Sequence, residues 1–544
     1  MPPVRLPKKS NKSRSTPIDY TSVESALATQ LDFDGWLEEG IAQQDQGDRY
    51  ANSAGPKATR HLEHAVIAFE CASRFNINSF DAVYNSARVT QQLATDHLGP
   101  PNCVDAIRSA IRAYDNAQTL ATTQDERIDC LFNQAQAYVT AYEMDSDNLI
   151  PTAVLGRDRQ TVLRNAIDLF DQTEILQVEA MNTVFGQAPM TTDDTNRRKD
   201  EGAQTPISTG TEKATESRTV TPHLVLETML EALQAQVSLL QELHEDSLPQ
   251  DDTVVASISH KLKRAADFDP QLESDFPLVR LDALSVIRPP DNLEQIQQLH
   301  SEYSSLAQAR PNQLAVLSSF ADFLVDTTPQ QQQQQQVDAR LAQADNLYKQ
   351  AQQLLSNRLR PPHGVPLFSV PSLLSSNLSS QAFLHLTKYA SKLKLGNVTD
   401  TQSLEQALRL YIEAINSCRA SRVVVSLDTN QNASLPIKTQ TLSAAQQKDL
   451  KLNWSGFKAL RVSWFGLWRS WILGNLTTTT TGQTGLQQTK FDWLKHMCQD
   501  WTNVSGDTTR DWKLDVRCLC HEWQDDMVWS REEAAVWSDI VESS

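Results

Sequence analysis

The chain has 544 residues, a formal net charge of −18 and only 17 glycines. That acidity argues against general nucleic-acid binding, which needs a basic surface to displace counterions, and the scarcity of glycine argues against a sandwich or barrel. No uncharged apolar run approaches the roughly 18–20 residues that a membrane-spanning helix needs.

Taken in order, residues 1–20 carry Arg5, Lys8, Lys9, Lys12 and Arg14 before any acid. They read as a disordered basic tail, with a nuclear-import signal as the functional alternative. Residues 21–180 hold three helix pairs. The second helix of each carries a small–ring–small triplet. The first is Ala65, Phe69 and Ala72, the second Ala110, Tyr114 and Ala117, and the third Ala166 and Phe170 followed by Thr173. Positions i, i+4 and i+7 share one helix face. Two small residues let a neighbouring helix approach, and the ring between them fills the gap. Ser79 offers an N-cap oxygen to the helix that follows it, and Gly99-Pro100-Pro101 breaks the chain within the second pair.

Residues 181–221 are rich in Thr, Asp, Glu and Gly and poor in aliphatic side chains, so they read as a disordered linker. Residues 222–328 form helical hairpins, with Leu226, Leu230, Leu233, Val237 and Leu240 as an apolar stripe and Asp291 to Glu294 as a capping box. Residues 329–337 are a polyglutamine loop. Residues 338–420 return to helix pairs. Two further triplets lie there: Ala344, Tyr348 and Ala351, then Ala407, Tyr411 and Ala414. Within this stretch, residues 357–380 are rich in proline and read as extended or looped. A helix is expected over 381–395, and a capping box starts at Ser403. Residues 421–444 read as a loop with room for one short strand at 423–427. Residues 445–544 differ: ten of the eleven tryptophans lie at Trp454 or later, and they read as a helical cap that closes a repeat array.

The triplets, with Trp36-Leu37-Glu38-Glu39-Gly40, Tyr84-Asn85-Ser86-Ala87-Arg88 and Phe132-Asn133-Gln134-Ala135-Gln136 ahead of the first three, resemble the tetratricopeptide-repeat superfamily. The family period is about 34 residues; here Ala65 to Ala110 spans 45 and Ala344 to Ala407 spans 63, so the loops must carry insertions. The resemblance implies an all-α, right-handed superhelix of antiparallel helix pairs whose first helices line a concave groove. It also implies a protein-binding adaptor, scaffold or assembly factor that is not an enzyme. Asn85, Arg88, Asn133 and Gln136 are the groove candidates, because an Asn amide can pair with an extended peptide backbone. The acidity favours a basic protein client.

One family activity is not supported. The basic and Asn clamp that holds acidic heat-shock chaperone tails would need residues where Leu37, Ser86, Cys130 and Gln134 stand. Lys388 and Lys392, with His385 and Tyr389, could form a basic patch for an acidic peptide or a solvated helix face. Cys518-Leu519-Cys520-His521 has half the spacing of a zinc site and no second half. No phosphate loop, nucleophile elbow or metalloprotease motif occurs, so no catalytic, cofactor-binding or metal residue is assigned. Seven irregularly spaced cysteines with no leading signal peptide read as reduced thiols of a cytoplasmic or nuclear protein. Two alternatives stay open. One is a structural subunit docking through the Trp-rich region; the other is an enzyme on a helical-repeat platform.

Overall fold

The computed structural model describes residues 18–51, 55–146, 155–156, 158–186, 220–245, 252–268, 276–287, 293–327, 334–356, 370–394, 401–418, 423–427, 437–443 and 454–476. In chain order the helices are α1 (Val23–Leu27), α2 (Phe33–Tyr50), α3 (Gly55–Phe75), α4 (Phe80–Gln92), α5 (Asn102–Leu120), α6 (Gln124–Ser146), α7 (Arg159–Gly186) and α8 (Pro222–Glu245). They continue with α9 (Asp252–Phe268), α10 (Phe276–Ile287), α11 (Leu293–Ala309), α12 (Leu314–Asp326), α13 (Gln334–Ser356), α14 (Val370–Lys394), α15 (Thr401–Ser417) and α16 (Trp454–Leu476). A π-helical turn, Leu93–His97, extends α4.

The helices fall into two compact units. The first comprises Met1–Asn116, Glu143–Gly156 and His300–Ser544, and the second Ala117–Tyr142 and Arg157–Leu299. The division falls inside α5, α6 and α11. The third helix pair, α6 with α7, shares its core with α8 to α10: Ile128, Leu163, Met229, Leu233, Ile258 and Phe276 belong to one buried cluster.

Local signals place several helix starts. Asp32 caps α2 by accepting from the Gly35 amide at 2.9 Å, and Ser79 caps α4 by accepting from the Ala82 amide at 3.3 Å. The triplets are the packing seams. All five rings are at most 3% exposed. The small residues beside them are closed off completely: Ala65 and Ala72 on α3, Ala110 and Ala117 on α5, and Ala166 and Thr173 on α7 are 0% exposed. Ala344 and Ala351 on α13 and Ala407 and Ala414 on α15 are buried to the same degree.

Each ring meets a neighbouring helix. Gly40 of α2 lies against Phe69 of α3 so closely that a Cβ there would sit 2.6 Å from the ring. Tyr84 of α4 packs on Tyr114 of α5 at a centroid distance of 6.1 Å. Phe132 of α6 meets Phe170 of α7 edge-on at 5.8 Å. The Tyr348 hydroxyl on α13 donates to Asp322 of α12. Tyr411 of α15 fills the space that Gly466 leaves on α16. Trp464 and Trp468 of α16 are wholly buried, so these two tryptophans are core and present no docking face.

Three expectations need correction, and a fourth is extended: the short strand expected at 423–427 is present and has a partner. Residues 421–444 hold a two-stranded antiparallel ladder, β1 (Val423–Leu427) with β2 (Ile437–Thr441), in which Val424 pairs with Gln440. The run of three valines favours extended backbone, and Asn416 of α15 pins it: its Nδ2 donates to the Val425 carbonyl and its Oδ1 accepts from the Val425 amide, both at 2.9 Å. Among the described residues the chain is thus helical with one small ladder. Helix α14 begins at Val370, not at 381, because Pro371 stands in its first turn, where a missing N–H costs nothing. Helix α13 begins at Gln334, so the last glutamines of the tract are helical. Helix α15 begins at Thr401, which places Ser403 inside the helix and not at its cap. The basic tail, the body of the linker, the Cys518 to His521 motif and the six tryptophans from Trp493 onward lie outside the described residues.

Candidate protein-binding site

The groove candidates of the first unit sit on α4, beside α2. Arg88 donates through Nη2 to Gln44 Oε1 of α2 at 2.8 Å and to Asn85 Oδ1 at 3.2 Å. One turn on, Gln92 Nε2 donates to Asp48 Oδ1 of α2 at 2.8 Å. Both pairs are 44 residues apart. Two rungs with the same offset mean that α2 and α4 run side by side in the same direction and in repeat register, with α3 as the returning helix between them. Trp36 and Phe80, and Gly40 and Tyr84, stand at the same offset. The polar ladder Gln44–Arg88–Asn85 and Asp48–Gln92 therefore decorates one face made by two successive first helices.

Asn85 spends one donor on its own helix, Nδ2 to the Asp81 carbonyl at 2.8 Å. Asn133 does the same in the second unit, Nδ2 to the Asp129 carbonyl at 2.8 Å. The shared back-bond holds each amide in one rotamer and turns the carbonyl oxygen outward from that bond; Arg88 takes that oxygen at Asn85. Asn133 and Gln136 are half-buried on α6. The structure brings Asn85 and Arg88 together.

The expected basic face on α14 is not a simple solvated one. His385 turns to Asp345 of α13, Nε2 at 3.5 Å from Oδ1, and Tyr389 is buried. Lys388 is half-buried and the Lys392 side chain lies outside the described residues. Asp345 also accepts from Gln381 Nε2 at 2.7 Å and Lys349 Nζ at 2.8 Å. Burial raises its carboxyl, but the bonds from His385, Gln381 and Lys349 outweigh burial and hold it well below the usual carboxylate range. A depressed acid stabilises the fold above its unfolded value of about 3.9 and loses that contribution as pH falls toward the folded value. Asp345→Asn is expected to lower the melting temperature at pH 7, with the gap to wild type closing below about pH 4. A gap independent of pH would show that the three contacts do not hold the ionised form.

The second unit contains a charged knot. Lys261 of α9 is buried and reaches Asp171 Oδ1 at 2.5 Å and Glu174 Oε2 at 3.1 Å on α7. Arg264, one turn on from Lys261, pairs with the other oxygen of Glu174. Acids at i and i+3 face bases at i and i+3 on a helix some 90 residues away. Either helix alone shows only an ordinary charged pair, so nothing local announces the match.

Thiol chemistry finds no support among the first cysteines. Burial pushes Cys71 up to about 11 and Cys103 up to about 12, far from a nucleophile's range. No described helix is long and apolar enough to cross a membrane.

No family model matches the chain, and no curated protein matches it. Among solved structures it is similar to a "Circular tandem repeat protein with novel repeat topology and enhanced subunit contact surfaces", at 11% identity over 96% of this chain and 97% of that one, with a TM-score of 0.17. A superposition that loose carries no argument about the fold, so the helical-repeat architecture rests on the packed hairpins described above.

Proposed function

We propose that this chain is a non-enzymatic protein-binding scaffold. Its helix pairs form a tetratricopeptide-like, right-handed solenoid, and the first-helix faces hold an extended partner segment. The observation that carries this is the pair of parallel helices α2 and α4, joined by two polar rungs of equal 44-residue offset. A face of that kind offers repeated amide and guanidinium groups to a peptide backbone. The formal charge of −18 favours a basic client, and the cytoplasm or nucleus is the compartment that suits buried, reduced thiols. The burial of Trp464 and Trp468 weakens the alternative of docking through the C-terminal tryptophans.

Affinity capture with the intact chain tests this, beside a variant carrying Asn85→Ala, Arg88→Ala and Asn133→Ala. The expected result is one specific co-purifying protein, depleted about tenfold by the triple change while the circular dichroism spectrum stays helical. Unchanged capture would remove the first-helix face from the proposal.

A further inference from the structure

The first hairpin, α2 with α3, carries two half-buried histidines. On α3, Lys57, Arg60, His61 and His64 stand at i, i+3, i+4 and i+7, one stripe of the helix. Each imidazole lies against a phenol. Tyr20, in the lead-in to α1, stacks on His64 at a centroid distance of 4.1 Å with the planes 7° apart. Tyr50, at the end of α2, stacks on His61 at 5.6 Å and 17°. The two imidazoles meet edge-on at 6.3 Å.

The stripe is poorly suited to more positive charge. The Tyr50 ring already carries the Lys57 ammonium 3.5 Å from its centroid, and a charged His61 would be a second cation on that ring. A charged His64 would stand one turn from Arg60 and beside His61. Like charges at these spacings destabilise a helix. Glu39 of α2 opposes the effect, but it already accepts from the Tyr20 hydroxyl at 2.5 Å and from Gln43 Nε2 at 2.8 Å. Glu63 flanks the stripe on α3 itself, and Arg49 acts on Tyr50 from α2. The other charged groups around α3 are engaged elsewhere. Glu24 of α1 faces Arg74 at 4.0 Å. Asp19 accepts from the Thr21 amide at 3.0 Å, Arg88 of α4 bonds Gln44 and Asn85, and His97 of the π-helical turn faces Thr59 at 3.5 Å. Burial first, and then the neighbouring cations, hold both imidazoles below a histidine's usual range, with Glu39 pulling His64 the other way.

We propose that His64, backed by His61, is an acid-operated latch that holds the lead-in to α1 against the first hairpin at neutral pH and releases it on acidification. Tyr20 has two attachments there, and protonation of His64 disturbs both. An imidazolium gains hydration by turning into water, which removes the flat seat of the Tyr20 ring. Glu39 is drawn to the new charge and away from the Tyr20 hydroxyl. A histidine held below about 6.5 in the fold stabilises the closed latch above that pH, and the contribution is lost as pH falls through the folded value. Helix α1 stays tied through Ala26, Val23 and Leu27 to the cluster around Trp36, so the opening is local.

Hydrogen exchange on the full chain tests this, with rates corrected for the intrinsic effect of pH. Between about pH 7.5 and 5.5, the peptide spanning α1 is expected to lose protection about three- to tenfold, the worth of the new like-charge pairs 57–61, 60–64 and 61–64. Protection of α12 should stay constant. His64→Phe keeps a flat ring under Tyr20 without a titrating proton, so its α1 protection should not change with pH. A second measurement needs no variant: the midpoint of the loss should coincide with the His64 titration followed by NMR of ¹³C-labelled histidine. Constant α1 protection in the wild type, an equal loss in His64→Phe, an equal loss at α12, or a midpoint that no histidine shares would each overturn the latch.

Discussion

Phe69→Ala and Tyr411→Ala are each expected to cost about 3–5 kcal/mol of stability, the range for removing a fully buried ring. Both rings are enclosed by helix backbone as well as by side chains, since Gly40 and Gly466 bring a neighbouring helix directly onto them. A helix cannot shift inward to close such a gap without disturbing its other contacts, so the cavity term stays large. The control is Phe75→Ala at the end of α3, where the ring is 53% exposed and the expected change is within about 0.5 kcal/mol. Urea unfolding followed by circular dichroism reads all three. Losses at the two seams no larger than at Phe75 would mean that the triplets are ordinary helix faces.

The second large effect is at the charged knot. Lys261→Met is expected to cost about 3 kcal/mol or more, because it leaves Glu174 buried with Arg264 as its remaining partner. Asp171 adds less to that cost, since it is 41% exposed and can recover hydration. The double change Lys261→Met with Glu174→Leu is expected to cost clearly less than the sum of the single changes. It removes both buried charges and leaves Arg264 and Asp171 within reach of water. The same unfolding measurement decides it, and strict additivity would show that Lys261 and Glu174 are not coupled.

These two sites differ in how far the sequence revealed them. Alanines at i and i+7 around a ring at i+4 lie on a single helix, so the seams are legible from spacing alone. Ala72, Ala351 and Ala414, each the closing member of its triplet, are as deeply buried as the rings they flank. Gly40 can be read as a helix-A feature, but Gly466 cannot, because its partner Tyr411 lies on a different helix and no motif joins them. The start of α14 is misplaced when proline is treated as a break. Position within the first turn, not the residue itself, decides whether proline interrupts a helix. The strand at 423–427 is legible in its three valines, but its partner β2 and the Asn416 tether to the Val425 backbone leave no sequence pattern. The lysine and its two acids come from matching helices far apart in the chain. Such matches are made by tertiary packing, and one sequence does not display them.

The most direct measurement is a double-mutant cycle between Gly40 and Phe69. Alanine in place of a helix glycine normally stabilises by about 1 kcal/mol, but here its Cβ would fall 2.6 Å from the Phe69 ring. Gly40→Ala alone should therefore destabilise by about 1–3 kcal/mol, and Phe69→Leu, by trimming the ring, should absorb the added methyl and give a coupling of at least about 1 kcal/mol. A stabilising Gly40→Ala, or a cycle whose two changes simply add, would mean that α2 and α3 do not nest through this seam.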